Sequence, residues 1–269
     1  MRIAFNFFTL WLAASSPIAW SLPNNSVFLE ELTSTDVRDA VHSGKTTVII
    51  PVGGTEQNGP HIALGKHNVR VRALAGKIAG LLGNALVAPV VAYVPEGIIS
   101  PPSGHMRFSG TISIPEEAFK SMLEAAARSF KQHGFVDVVL IGDHGGYQAQ
   151  LGTVAMRLNR DWAISPVRAH FIGEYYRATE TSYAEMLRTK GLSDMQIGTH
   201  GGTADTSLMM AIDITLVRLE QMSREPSGDH ADGVAGDPRP STAALGQLGV
   251  DLIVDKTVAA IRAALKVRR

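Results

Sequence analysis

The sequence predicts an α/β protein, a three-layer α/β/α sandwich around a mostly parallel sheet. Two observations carry this. Short β-branched apolar runs alternate along the chain with segments of helical period, and strands separated by helices pair in parallel through crossovers. The composition is that of a chain with an ordinary core, 45% hydrophobic and 19% charged over 269 residues.

The elements follow in order. Residues 35–42 form a short helix with Ser34 near its cap. Residues 46–52 (TTVIIPV) form a buried strand. Val71, Leu74, Ile78 and Leu81 mark a helix over 68–82, stopped by Gly83. A second strand is expected over 85–94, then a Gly/Pro-rich stretch over 95–110. Helix 116–133 has the clearest apolar stripe (Phe119, Met122, Leu123, Ala126, Phe130) and ends at Gly134. Strand 135–141 (FVDVVLI) follows, then a helix through Leu151, Val154, Ala155 and Leu158 and a strand over 167–172. Helices are expected over 206–212 and 243–265, with 226–242 as a structured loop. No internal repeat or charged linker divides the chain, so residues 22–269 are expected to form one domain.

Residues 1–21 carry the pattern of a secretory signal peptide: one charge at Arg2, an apolar core, and Ala19 and Ser21 at the −3 and −1 positions of a cleavage site. An exported, periplasmic protein is expected, with no membrane attachment after cleavage. Lys plus Arg equals Asp plus Glu at 25 each, which speaks against a general nucleic-acid binder. Cysteine is absent, so thiolate nucleophiles, cysteine zinc sites and disulfides are excluded. Any metal must be held by His, carboxylate or backbone groups.

Open α/β sheets bind ligands beyond the carboxyl ends of their strands. Strand 46–52 runs into Gly53, Gly54, Glu56, His61 and His67; strand 135–141 runs into Asp143 and His144. Glu56, His61, His67 and His144 are therefore candidate metal ligands. Spacing alone leaves a metal site and a structural role for these histidines both open, because there is no HExxH and no compact zinc spacing. No GxGxxG, Walker loop or GxSxG elbow is present. Ser207 reads as a residue at a helix start, not a nucleophile.

Four ordered segments resemble the creatininase (creatinine amidohydrolase) family: Pro51 to Gly65, Gly104 to Ile114, Gly142 to Gly146, and His200 to Ser207. A fifth, weaker match runs from Gly233 to Pro238. The resemblance implies a single creatininase-like α/β domain, amide hydrolysis at two divalent metals, and a homo-oligomer, a hexamer built from dimers. It also shows departures. The family's first glutamate ligand falls on Glu56 and its second histidine ligand on His144. Its first histidine ligand falls on Asn58, its bridging aspartate on His67, and a later carboxylate on Gly146 or Thr203. A neutral imidazole does not bridge two cations as a carboxylate does. One metal at Glu56, His67 and His144 is therefore expected, zinc first, with Mn or Fe as alternatives.

That site implies metal-activated water attacking a small cyclic or linear amide. Asp205, His105 and His200 are the expected catalytic proton carriers, Asp205 first. Asp205 could equally cap the helix at 206–212. Asn58, His61, Asp143 and Tyr147 are expected to contact substrate or orient ligands. A small-molecule or metal-binding protein without hydrolysis, and a mononuclear non-hydrolytic metalloenzyme, stay open beside this reading.

Overall fold

The computed structural model describes residues 26–222 and 232–267. The expected signal peptide and residues 226–231 of the expected loop lie outside the described residues.

Four strands form one parallel sheet in the order β2-β1-β3-β4. They are β1 (Thr47–Val52), β2 (Ala85–Val87), β3 (Asp137–Gly142) and β4 (Arg168–Phe171). The register pairs Thr47 with Asp137 and Val52 with Gly142 in the centre of the sheet. Strand side chains alternate between faces. Ile49, Val139 and Ile141 pack into one core with Val71, Leu74 and Ile78 of helix α2 (Lys66–Leu82) and Ile253 and Val254 of helix α10 (Ala243–Lys266). Val48, Ile50, Val138 and Leu140 pack into the other with Phe119 and Leu123 of α3 (Glu116–Gln132) and Leu151, Val154 and Leu158 of α4 (Gln148–Asp161). Helices thus cover both faces of the sheet, as the element pattern predicts.

Helix α1 is Ser34–His42, with Thr33 as a reciprocal capping residue. Helix α2 ends where expected, at Gly83, which adopts the left-handed conformation at φ +80°. The second strand is shorter than its apolar run. Pro89 lacks the N–H a ladder needs, and beyond it the chain keeps only a single bridge, Val91 to Val52. A helical segment over residues 174–189 went unpredicted. It runs from α5 (Glu174–Arg177) through π-helical turns at Ala178–Tyr183 into α6 (Ala184–Thr189). The π turns shift the phase of its apolar stripe, so Tyr175, Ala178, Tyr183, Ala184 and Leu187 are buried without a sustained 3.6 period.

Short helices α7 (Asp194–Ile197) and α9 (Leu219–Met222) flank α8 (Thr203–Ile212). Helix α8 starts three residues earlier than expected, with Gly202 at its cap. It crosses α10 at very short range: a Cβ at Gly246 would lie 1.8 Å from the Ser207 carbonyl oxygen.

The chain leaves β1 towards β2 and leaves β3 towards β4. The strand order therefore reverses between β1 and β3, and the crevice beyond their carboxyl ends is the place where such sheets bind ligands. Glu56, Asp143 and His144 follow those two ends.

Candidate metal centre

Glu56 is the hub of the site. It is fully buried, on the loop that turns back after β1, and its backbone N–H donates to Leu64 O at 3.2 Å. The turn needs glycine at Gly53, where a Cβ would meet Asn68 Oδ1 at 2.2 Å, and at Gly54, whose φ is +151°.

Four imidazoles converge on this carboxylate. His67 Nε2 is 2.7 Å from Glu56 Oε1, and His200 Nδ1 is 3.8 Å from the same oxygen. His105 Nε2 and His144 Nε2 are 3.1 and 3.5 Å from Oε2. The far side of each ring is held by the protein. His67 Nδ1 lies 2.7 Å from Asp143 Oδ2, and His144 Nδ1 lies 3.4 Å from Glu96 Oε2. His105 Nδ1 lies 3.0 Å from Gln57 Nε2, and His200 Nε2 lies 2.8 Å from the Gln57 carbonyl oxygen. Only His105, His144 and His200 show a ring edge to solvent, at 26%, 18% and 14% exposure, so they form the mouth.

His67 is the second residue of α2, not a loop residue as expected. Lys66 and Arg70 share that first helical turn. Three cationic or basic side chains at a helix N-terminus oppose the helix dipole. Carboxylates compensate. Asp205 Oδ2 accepts from Lys66 Nζ at 2.9 Å and from Gly201 N at 3.0 Å, and Oδ1 accepts from Arg70 Nη1 at 2.7 Å. Asp143 accepts from Arg70 Nε at 2.8 Å and from the Tyr175 hydroxyl at 2.6 Å.

Charge states follow from these contacts. Burial pushes the Glu56 carboxyl up, but the adjoining His67 and His144 rings and Lys66 pull it down further, so it stays ionised. Burial acts the same way on Asp205 and is outweighed by Lys66 and Arg70, leaving it well below the usual carboxylate range. Burial and the Glu56 charge push Glu96 up to about 9. Burial lowers His105, lowers His144 to about 3, and lowers His200 to about 4, the last helped by Lys66. These three rings are neutral at pH 7, the form that ligates metal.

The donors suit a divalent ion. Glu56, His67 and His144 offer three ligand atoms within 4.8 Å of one another. Glu56 Oε2 is buried and ionised and accepts no hydrogen bond from the protein. A buried ionised oxygen without a partner is costly, and a cation removes that cost. The Asp143 carboxylate behind His67 is the arrangement that orients a metal-binding imidazole, and His144 Nδ1 is held by the Gly146 amide, which donates to it at 3.3 Å.

Several expectations shift. Asp205 has both oxygens committed to Lys66, Arg70 and Gly201, so it is poorly placed to take up a proton. The four residues expected at the substrate are buried and bound to the protein. Asn58 donates to Glu56 O at 2.9 Å, His61 Nε2 pairs with Thr206 Oγ1 at 3.0 Å, and Asp143 holds His67 and Arg70. The Tyr147 hydroxyl donates to Val52 O at 2.9 Å and accepts from the Asp143 and His144 amides at 3.2 and 3.1 Å. Each frames a ligand or its loop instead of facing the mouth. Sequence reasoning passed over Lys66, Arg70, Glu96, Gln57 and Tyr175. Gln57 stands inside the first of the quoted segments, and Lys66 lies one residue beyond its end. Tyr175 is 32 residues from its partner Asp143 and left no local signal.

A family model described as creatinine amidohydrolase matches residues 30–261. A mycofactocin precursor peptide peptidase of Mycolicibacterium smegmatis is 30% identical over 219 residues, covering 77% of this chain and 81% of that protein. Creatinine amidohydrolase of Pseudomonas putida is 26% identical over 208 residues, covering 76% and 78%. A solved creatininase in a manganese form superposes with a TM-score of 0.72 at 24% identity, covering 89% of this chain and 98% of that one.

Proposed function

The chain belongs to the creatininase family, and from that premise we propose that it is a metal-dependent amidohydrolase that cleaves a C–N bond of a small cyclic or linear amide. The observation that carries the reading is the convergence of His67 and His144 on ionised Glu56, with His67 backed by the Asp143 carboxylate and His144 held at Nδ1 by the Gly146 amide. Glu56, His67 and His144 hold one divalent ion. Zinc suits a two-histidine, one-carboxylate set, and manganese is the metal named for the solved relative. Such an ion supplies a Lewis acid for a carbonyl oxygen and lowers the pKa of water at neutral pH.

The chain's own groups do the rest. Glu56 keeps its charge beside the ion. Asp143 fixes the ring plane of His67, and the Gly146 amide fixes that of His144. His105 and His200 line the mouth, so they are the groups within reach of a substrate's amide and of the proton that must move to its leaving nitrogen. They take over the role first expected of Asp205. Export to the periplasm by the 1–21 segment and assembly into a homo-oligomer belong to the same reading. They rest on the sequence pattern and the family resemblance.

The test is metal analysis of the chain purified without chelator, followed by a hydrolysis screen. The panel holds lactams, cyclic ureas, formamides and short peptides, the last because one relative is a peptidase. Bound metal with metal-dependent turnover is expected, and His144→Ala should lose both. A chain that binds no divalent metal even after reconstitution overturns the hydrolase reading and favours a small-molecule-binding role.

A further inference from the structure

Lys66 is a fully buried lysine with no route to solvent, 1% exposed. Its Nζ sits 2.9 Å from Asp205 Oδ2 and 3.9 Å from Glu56 Oε1. Glu56 Oε1 is also the oxygen that faces His200 Nδ1 at 3.8 Å. The ammonium thus stands between two carboxylates, at the edge of a second cluster of three donors formed by Glu56, His105 and His200.

We propose that the Lys66 ammonium acts as a built-in second cation, fixing the site at one divalent ion per chain. This deepens the functional reading above and rests on it.

Three observations support the assignment. The first is charge. Glu56, Asp143 and Asp205 carry three negative charges, while Lys66 and Arg70 return two. These five groups sum to −1, so one divalent ion already takes the site to +1, and a second would take it to +3 in direct repulsion with Lys66. The second is geometry. Two donor sets of three share only Glu56 (His67 with His144, and His105 with His200), so the four rings do not form one set around a single ion. The third is readiness. Asp143 backs His67 Nδ1 at 2.7 Å, leaving its Nε2 lone pair towards Glu56, whereas His105 Nδ1 faces the Gln57 amide nitrogen at 3.0 Å. The same amide's Oε1 accepts from Gly59 N at 2.9 Å. With the amide so oriented, the His105 proton lies on Nε2, the nitrogen on the Glu56 side of the ring, where a ligand needs a lone pair. His67 in the first set is thus oriented for an ion, while the second set carries the His105 proton and is flanked by an ammonium. Lys66 is a positioning residue: it reaches substrate only through Glu56 and Asp205.

The experiment measures metal atoms per chain by elemental analysis after equilibration with excess Zn²⁺ and gel filtration, with Mn²⁺ electron paramagnetic resonance on parallel samples. Wild type and Lys66→Arg, which keeps the charge, should hold one ion and give the spectrum of an isolated Mn²⁺. Lys66→Met and Lys66→Gln should rise to two ions with a spin-coupled Mn²⁺ spectrum, and adding His200→Ala should bring them back to one. Two variants of similar length guard against one failing to fold. Two ions in wild type, or a single ion in both charge-removing variants, would overturn the assignment while leaving the metal reading intact. No ion in wild type would sink both.

Discussion

Replacing Asp143 with Asn separates the metal-orienting role of this residue from its structural one. The carboxylate accepts from His67 Nδ1 at 2.7 Å, Arg70 Nε at 2.8 Å and Tyr175 OH at 2.6 Å, and is 3% exposed. Asn can turn its oxygen to His67 and Arg70 and offer its amide to the Tyr175 hydroxyl, so the shape is kept and the charge is lost. Arg70 retains Asp205 at 2.7 Å. Removing one partner of a buried ion pair costs about 3–5 kcal/mol, and the surviving partner places this case near about 3. At roughly 2–4 °C per kcal/mol for a chain of this size, Tm falls by about 6–12 °C. Loss of the group behind a ligating His weakens metal binding by about 10–100-fold. Thermal unfolding of the metal-free protein and a chelator competition for Zn²⁺ read the two effects apart. An Asp143→Asn protein that loses stability yet holds metal as tightly as wild type would show that His67 is not a ligand.

Two further outcomes are expected. Gly246→Ala drives a methyl to 1.8 Å from Ser207 O at the α8–α10 crossing, so denaturant unfolding should show a loss of at least about 2 kcal/mol; an unchanged midpoint would mean that the helices separate freely. The metal-free protein should also be most stable between two pH limits. His144 and His200, at about 3 and about 4 when folded, bind protons near 6.5 only when unfolded, so stability falls as pH drops below about 6.5. Glu96, at about 9 when folded, holds a proton that the unfolded chain releases near 4.5, so its contribution is lost as pH rises from there through 9. Denaturant midpoints across pH, with Glu96→Gln flattening the alkaline side, check both signs. An alkaline side unchanged in Glu96→Gln would refute the raised Glu96.

The legible parts of this protein are those written in local pattern. Helix α3 shows its stripe, from Phe119 to Phe130, over consecutive turns, and the strand at 137–142 is a continuous apolar run. Both appear within a residue or two of expectation. The segment over 174–189 was missed because π turns reset its period. In the site, Glu56 and His144 were found because each follows a strand end. Asp205 was found as a site residue, but its pairing with Lys66 and Arg70 was not legible, since a sequence does not show which cation faces a carboxylate.

The sequence by itself determined the layered α/β architecture, the family, and the residue types available for a metal. Strand and helix periods, glycine turns and the absence of cysteine are all properties of nearest neighbours along the chain. Only the tertiary structure decided which of those residues are free to act. Lys66 and Arg70 lie 139 and 135 residues before Asp205, and Glu96 approaches His144 from the loop after β2. Charge, proton position and exposure at the centre depend on such long-range pairs. Burial makes each pair strong enough to set whether a carboxylate moves a proton, holds a ring or neutralises a lysine.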